Sequence, residues 1–261
     1  YAFIAGILIA LCSSLLGVIL VLKRYSYIGD GLSHVGFGAM AIATALHVAP
    51  LSVAIPVVVL AAFFLLRIKE DTRIKGDSAI AMISTGSLAI GVMVISMTTG
   101  MNTDVSNYMF GSILAMSNSD VIMSVILSII VLALYILFYN KLFAVTFDES
   151  FAKATGVKVS FFNSMIAILT AITIVLGMQM MGAMLISSLI IFPSLTSMRV
   201  CKTYRGVIIT SVIVAVVSFL IGITISFACS TPTGASIVCV NLVLFGLLSL
   251  VGLAKQRFRA G

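Results

Sequence analysis

From residue 3 almost to the last residue, the chain alternates long apolar runs with short breaks of polar residues, glycine and proline. A bilayer core about 30 Å thick takes roughly 20 apolar residues per helical crossing, so each run reads as a membrane-spanning helix. The pattern predicts nine spans, at residues 3–22, 28–48, 51–66, 79–99, 121–139, 161–181, 183–198, 207–228 and 235–254, with eight as the alternative count. The fold class is all-α: a polytopic integral membrane protein whose single membrane domain fills residues 1–261. Three connections, 67–77, 100–120 and 140–160, are long enough to hold structure of their own. In the second, residues 108–116 are apolar and include Gly111, which fits a short external or re-entrant helix surrounded by protein. In the third, Asp148 and Glu149 at the start, Lys153 within and Gly156 at the end are the start and stop signals of a short helix.

Composition agrees with the pattern: 61% of residues are hydrophobic and 9% charged, where soluble domains carry about 25% charge. A net charge of +7 raises the question of an acidic partner, and placement answers it. The fifteen Lys and Arg fall into five clusters: 23–24, 67–75, 141–158, 199–205 and 255–259. Two spans separate each cluster from the next, and the intervening breaks at 47–50, 100–120, 179–182 and 230–234 contain no basic residue. The positive-inside rule puts the clusters in the cytoplasm and the breaks outside, with an external N-terminus and an internal C-terminus. Short scattered loops form no groove-sized basic surface, so no nucleic-acid partner is expected. The first span is not read as a signal peptide, since basic residues follow it and no small-residue cleavage site is evident.

Several features read as packing. Cys12, Cys201, Cys229 and Cys239 show no CxxC spacing, so they are expected to pack in or beside helices rather than bind metal. Met178, Met180, Met181 and Met184 surround the turn between the sixth and seventh spans and read the same way. Small residues crowd the second span (Gly29, Gly31, Gly36, Gly38) and the start of the seventh (Gly182, Ala183, Ser187, Ser188), as close helix approach in lipid requires. Pro193 is expected to kink the seventh helix.

Of eight acidic residues, Asp30 alone falls within a predicted span, and His34 follows four residues later. On a helix these positions share a face, with Cβ atoms about 5–6 Å apart. A carboxylate in the membrane is costly unless paired or hydrated, which makes it a functional candidate. Together, a carboxylate and an imidazole suit Zn²⁺ or Mn²⁺ better than an organic solute. The bland alternative is that Asp30 caps the second helix and His34 hydrogen-bonds to it. Two ligands leave a coordination shell incomplete, so water, backbone carbonyls, other span residues or a second copy of the chain must supply the rest. His47, at the external end of the same span, and Asp104, in the external loop, are weaker candidates for attracting a cation. The chain holds no GxxxxGK[ST] loop, HExxH helix or GxSxG elbow. It is therefore not expected to be an enzyme, and any ATP-driven step needs another polypeptide.

The segment LeuLysArgTyrSerTyrIle at 22–28 followed by GlyAspGlyLeuSerHis at 29–34 is similar to the arginine-rich turn and GDxLSH signature of bacterial ATP-binding-cassette permeases for zinc and manganese. The likeness continues through 107–115 (AsnTyrMetPheGlySerIleLeuAla), the 148–157 loop, the run from Met181 to Pro193, and ThrGlyAlaSerIleVal at 233–238. The resemblance implies a homodimer in the bacterial plasma membrane, two cytoplasmic ATPases, an external metal-binding protein and no bound cofactor beyond the transported ion. It implies that Asp30 and His34 contact the metal, and that Asp148, Glu149, Phe151, Ala152 and Gly156 belong to a coupling helix seated on the ATPase. The chain departs from the family pattern at Gly31, where Ala is usual, and at Gly36 and Phe37, which bears on the width of the path. Open alternatives are a permease for a metal chelate or vitamin, an ion-coupled secondary transporter or channel, and a membrane-embedded hydrolase. Asp and His serve Zn²⁺, Mn²⁺ and Fe²⁺ alike, so the residues do not choose among them.

Overall fold

The computed structural model describes residues 2–71, 76–98 and 118–260, and the positions of Asp104 and the 108–116 segment lie outside them. Among the described residues eleven helices follow in order: α1 (Ala2–Leu22), α2 (Ser26–Ala45), α3 (Pro50–Asp71), α4 (Gly76–Thr98), α5 (Asn118–Leu137), α6 (Tyr139–Phe147), α7 (Glu149–Ala154), α8 (Val159–Met181), α9 (Ala183–Val200), α10 (Tyr204–Cys229) and α11 (Thr233–Ala260). Each of the nine expected spans is one of the nine long helices. Seven of them are long and apolar enough to cross a bilayer, and α3 contributes a shorter apolar stretch at Pro50–Leu65. The remaining one, α2, carries Asp30, His34 and four glycines. It is sheltered by protein instead, packed against α3, α4, α8 and α9 with thirteen of its residues buried. A helix this polar is tolerated at membrane depth when other helices wrap it.

Contacts at or beside four of the five basic clusters, those at 23–24, 141–158, 199–205 and 255–259, link neighbouring helix ends. Lys23 meets Glu149, Lys141 lies 5.9 and 5.7 Å from the rings of Phe138 and Phe162, Tyr204 packs on Phe143 and Phe147, and Gly252 approaches the carbonyl of Arg199.

The structure corrects several expectations. The 140–160 connection holds two short helices rather than one. α6 forms because Leu142 and Val145 turn inward while Phe143 and Phe147 clasp Tyr204, giving it an apolar face of its own. Helices α3 and α4 run into the charged 67–77 connection, reaching Asp71 and starting again at Gly76. Asp120 lies in the first turn of α5 rather than in a loop, where a carboxylate suits the helix dipole. Among the cysteines, Cys12 is buried as expected, but Cys229 and Cys239 are exposed rather than packed. Met178, Met180 and Met181 are fully buried, whereas Met184 faces outward.

Candidate metal site and coupling segment

Asp30 sits one turn into α2, whose N-cap position is Tyr25 and carries no side-chain cap bond. The capping role considered for Asp30 is therefore not the one it takes. Its Oδ2 lies 3.8 Å from Nε2 of His34, too long for a hydrogen bond, so the two groups are neighbours rather than a closed pair. Its Oδ1 accepts a hydrogen bond from Ser187 of α9 at 3.1 Å, and Ser33 Oγ donates to the Asp30 carbonyl at 2.7 Å. One carboxylate oxygen is thus held by α9, and the other is turned toward the imidazole.

The imidazole has its own asymmetry. Nδ1 is buried without a hydrogen-bond partner, so Nε2, next to the carboxylate, is the nitrogen that an arriving ion can reach. Both side chains line a cavity of about 440 Å³ between α2 and α4, with Ser84 and Thr85 on the opposite wall. The side chain of Asp30 is 48% exposed and that of His34 is 24%. The arrangement offers one carboxylate oxygen and one ring nitrogen to an open space bordered by hydroxyls, chemistry that fits a divalent transition metal. Among the described residues no third His, Cys, Asp or Glu joins them.

Glycines set the width of this space. A methyl group on Gly31 would sit 2.8 Å from Ile80 Cγ2 and 3.2 Å from Ser84 Oγ, so glycine here lets α4 approach beside Asp30. Further along, a methyl on Gly38 would meet the Ser87 carbonyl oxygen at 2.8 Å. His47 is not brought to the site. It lies beyond the far end of α2 in a left-handed turn with φ +55, exposed, roughly 25 Å away by the helical rise.

In the 148–157 segment the five named residues divide their work. Asp148 caps α7, its Oδ1 accepting from the amides of Ser150 and Phe151 at 2.9 Å each, and Gly156 ends the turn at φ +82. Ala152 is wholly buried and Phe151 is 61% exposed. Glu149 turns inward to Lys23 and Asn163. Partial burial pushes its carboxyl up, but the hydrogen bonds from Lys23 and Asn163 prevail and hold it below the ordinary glutamate value.

A model of the ABC 3 transport family matches residues 1–252. The chain belongs to that family. This permease is 30% identical over 246 residues to the high-affinity zinc uptake system membrane protein ZnuB of Haemophilus influenzae, covering 94% of each chain. It is also 30% identical to the manganese import system permease protein ScaB of Streptococcus gordonii, covering 98% of this chain and 92% of that one. Its fold superposes on PsaBC from Streptococcus pneumoniae, solved in complex with a Fab, with a TM-score of 0.85 at 28% identity over 95% of this chain and 89% of that chain. The permease is thus a multi-pass protein of the plasma membrane, with the membrane-spanning rather than the ATP-hydrolysing role of its family.

One participant escaped the sequence reading. Ser187 looked like any small residue in a helix-packing run, and only the approach of α9 to α2 reveals that it holds Asp30. A serine 157 positions away carries no local signal of that kind.

Proposed function

We propose that this permease passes a divalent transition-metal ion, Zn²⁺ or Mn²⁺, from an external binding protein to the cytoplasm, driven by a separate ATPase docked on α7. The observation that carries the reading is the shared orientation of Asp30 Oδ2 and His34 Nε2 toward the α2–α4 cavity, on a helix too polar to face lipid. The names of the relatives, one for zinc and one for manganese, support a transition-metal cargo. With two ligands, one of them the half-exposed carboxylate of Asp30, the site leaves room for a second copy of the chain to close the cavity and complete the shell. Each copy engages one ATPase, giving two in the assembly, and the membrane domain spans residues 1–261. His47 and Asp104, on the external side, are the weaker ion-attracting candidates.

The test is reconstitution of the permease with its ATPase and metal-binding protein in proteoliposomes, measuring ⁶⁵Zn²⁺ and ⁵⁴Mn²⁺ uptake. Asp30→Ala and His34→Ala each lower uptake by about a hundredfold, the upper end of what losing an outer-shell partner of a metal site already costs. Uptake at wild-type levels in both variants overturns the assignment.

A further inference from the structure

The contact between α7 and the membrane helices contains a charged group that the metal site does not use. The Lys23 side chain is only 6% exposed, and its ammonium donates to Glu149 Oε1 at 2.8 Å and to Asn163 Oδ1 at 2.7 Å. Asn163 in turn donates from Nδ2 to the same Glu149 oxygen at 3.2 Å, closing a ring of three side chains. The ring joins the end of α1, the first residue of α7 and the first turns of α8. For a lysine withdrawn this far from water, removing one partner leaves a buried polar group unsatisfied, which is costly. The ring is therefore a stiff link: α7 cannot shift away from Lys23 without breaking its bonds.

Beyond Lys23 the chain turns sharply into α2. Arg24 N donates to the Val21 carbonyl at 3.1 Å and Tyr25 N to the Leu20 carbonyl at 2.7 Å, with Arg24 held at φ +61. α2 starts at Ser26, and Asp30 is one turn further on. Glu149 is connected by one ion pair and one tight turn to the helix that carries both metal-site side chains. On the outward side of the same short helix, Phe151 is left exposed for a partner.

We propose that Lys23, Glu149 and Asn163 form the joint through which displacement of α7 moves the start of α2, tying ion release to ATP use. The inference rests on the reading that α7 docks on the ATPase. Lys23 and Asn163 are positioning residues that touch neither ion nor nucleotide.

The experiment measures metal taken up per ATP hydrolysed in proteoliposomes containing permease, ATPase and metal-binding protein. Lys23→Met and Glu149→Gln each lower that ratio about tenfold, a size typical of coupling between distant sites. The double variant falls no further than either single one, as expected when two residues act through one contact. Asn163→Ala spares the ion pair, lowers the ratio about twofold by the same logic, and serves as the readout if the ion-pair variants fail to assemble. A wild-type ratio in these variants overturns the joint, and so do losses that add in the double variant. Co-purification separates this failure from failure of the underlying reading. If the ATPase does not co-purify with the wild-type permease, or still does so with Phe151→Asp, the docking role of α7 falls. If it co-purifies with wild type, is lost with Phe151→Asp, and the joint variants keep a wild-type ratio, the joint alone falls.

Discussion

The most apolar stretch of α8 lies 67% inside the protein, that of α4 17%. α8 meets its neighbours through bulky side chains, with Ile174, Leu176 and Met178 almost wholly buried. α4 meets α2 through glycines: Gly38 lies against the Ser87 backbone, and Gly91 against Phe37 and Gly38. Interdigitated bulky side chains fill one kind of interface, whereas small residues let two backbones approach closely in the other. The cavity lined by Asp30 and His34 lies at the second kind of contact. An ion entering this cavity would meet a wall seated backbone to backbone, with helices packed through bulky side chains on the other faces of α2.

That contrast can be broken by mutation. The largest effect is expected from Leu176→Ala, a cavity in the α8 core that costs about 2–5 kcal/mol, read as a lowered unfolding midpoint in detergent. Gly38→Ala drives a methyl against backbone and costs about 1–3 kcal/mol. Gly86→Ala, on the same helix as Ser87 but with nothing within 4 Å of the added methyl, is expected to leave the midpoint within about 0.5 kcal/mol. Equal losses at Gly38 and Gly86 would show that α4 is not seated on α2 through glycine.

Ser187→Ala removes the hydroxyl that fixes one oxygen of Asp30 and is expected to weaken Zn²⁺ binding about tenfold. The unfolding midpoint should stay close to wild type, and isothermal titration of the detergent-solubilised protein checks the affinity. Unchanged affinity would mean that α9 does not orient the carboxylate.

The smallest effect is confined to acid. Glu149 has a folded pKa below its ordinary value of 4.5, so its contribution to stability is fully present above that value. It disappears as pH falls through the lower folded value, when the carboxyl protonates and Lys23 loses its partner. The difference in midpoint between wild type and Glu149→Gln should therefore be constant near neutrality and close as pH drops below 4.5. A difference that grows toward acid would contradict the pairing.

The nine long helices were legible because each needs a run of apolar residues, and Asp30 with His34 because the pair is local, four residues apart on one helix. The capping turn at Asp148 was legible for the same reason. What stayed hidden was set by distance along the chain. Lys23 and Glu149 are 126 residues apart, and nothing near either residue announces the other. Helix α6 was missed because it is nine residues long with two buried positions, Leu142 and Val145, too short to display a helical period. The contact of Glu149 with Lys23 depends on where the end of α1 lies, which only the packing of α1 beside the 148–157 segment supplies.

The polarity of α2 also constrains how the protein is made. Insertion machinery releases segments into lipid according to their hydrophobicity, and a helix with an aspartate, a histidine and four glycines has little to recommend it. Of the helices that wrap α2, only α3 and α4 follow it closely in the chain, so α2 depends on α3 for shelter until α4 arrives to cover its glycine face. Newly made chains truncated before residue 76, where α4 begins, should accordingly leave α2 open to alkaline extraction or quality-control proteases.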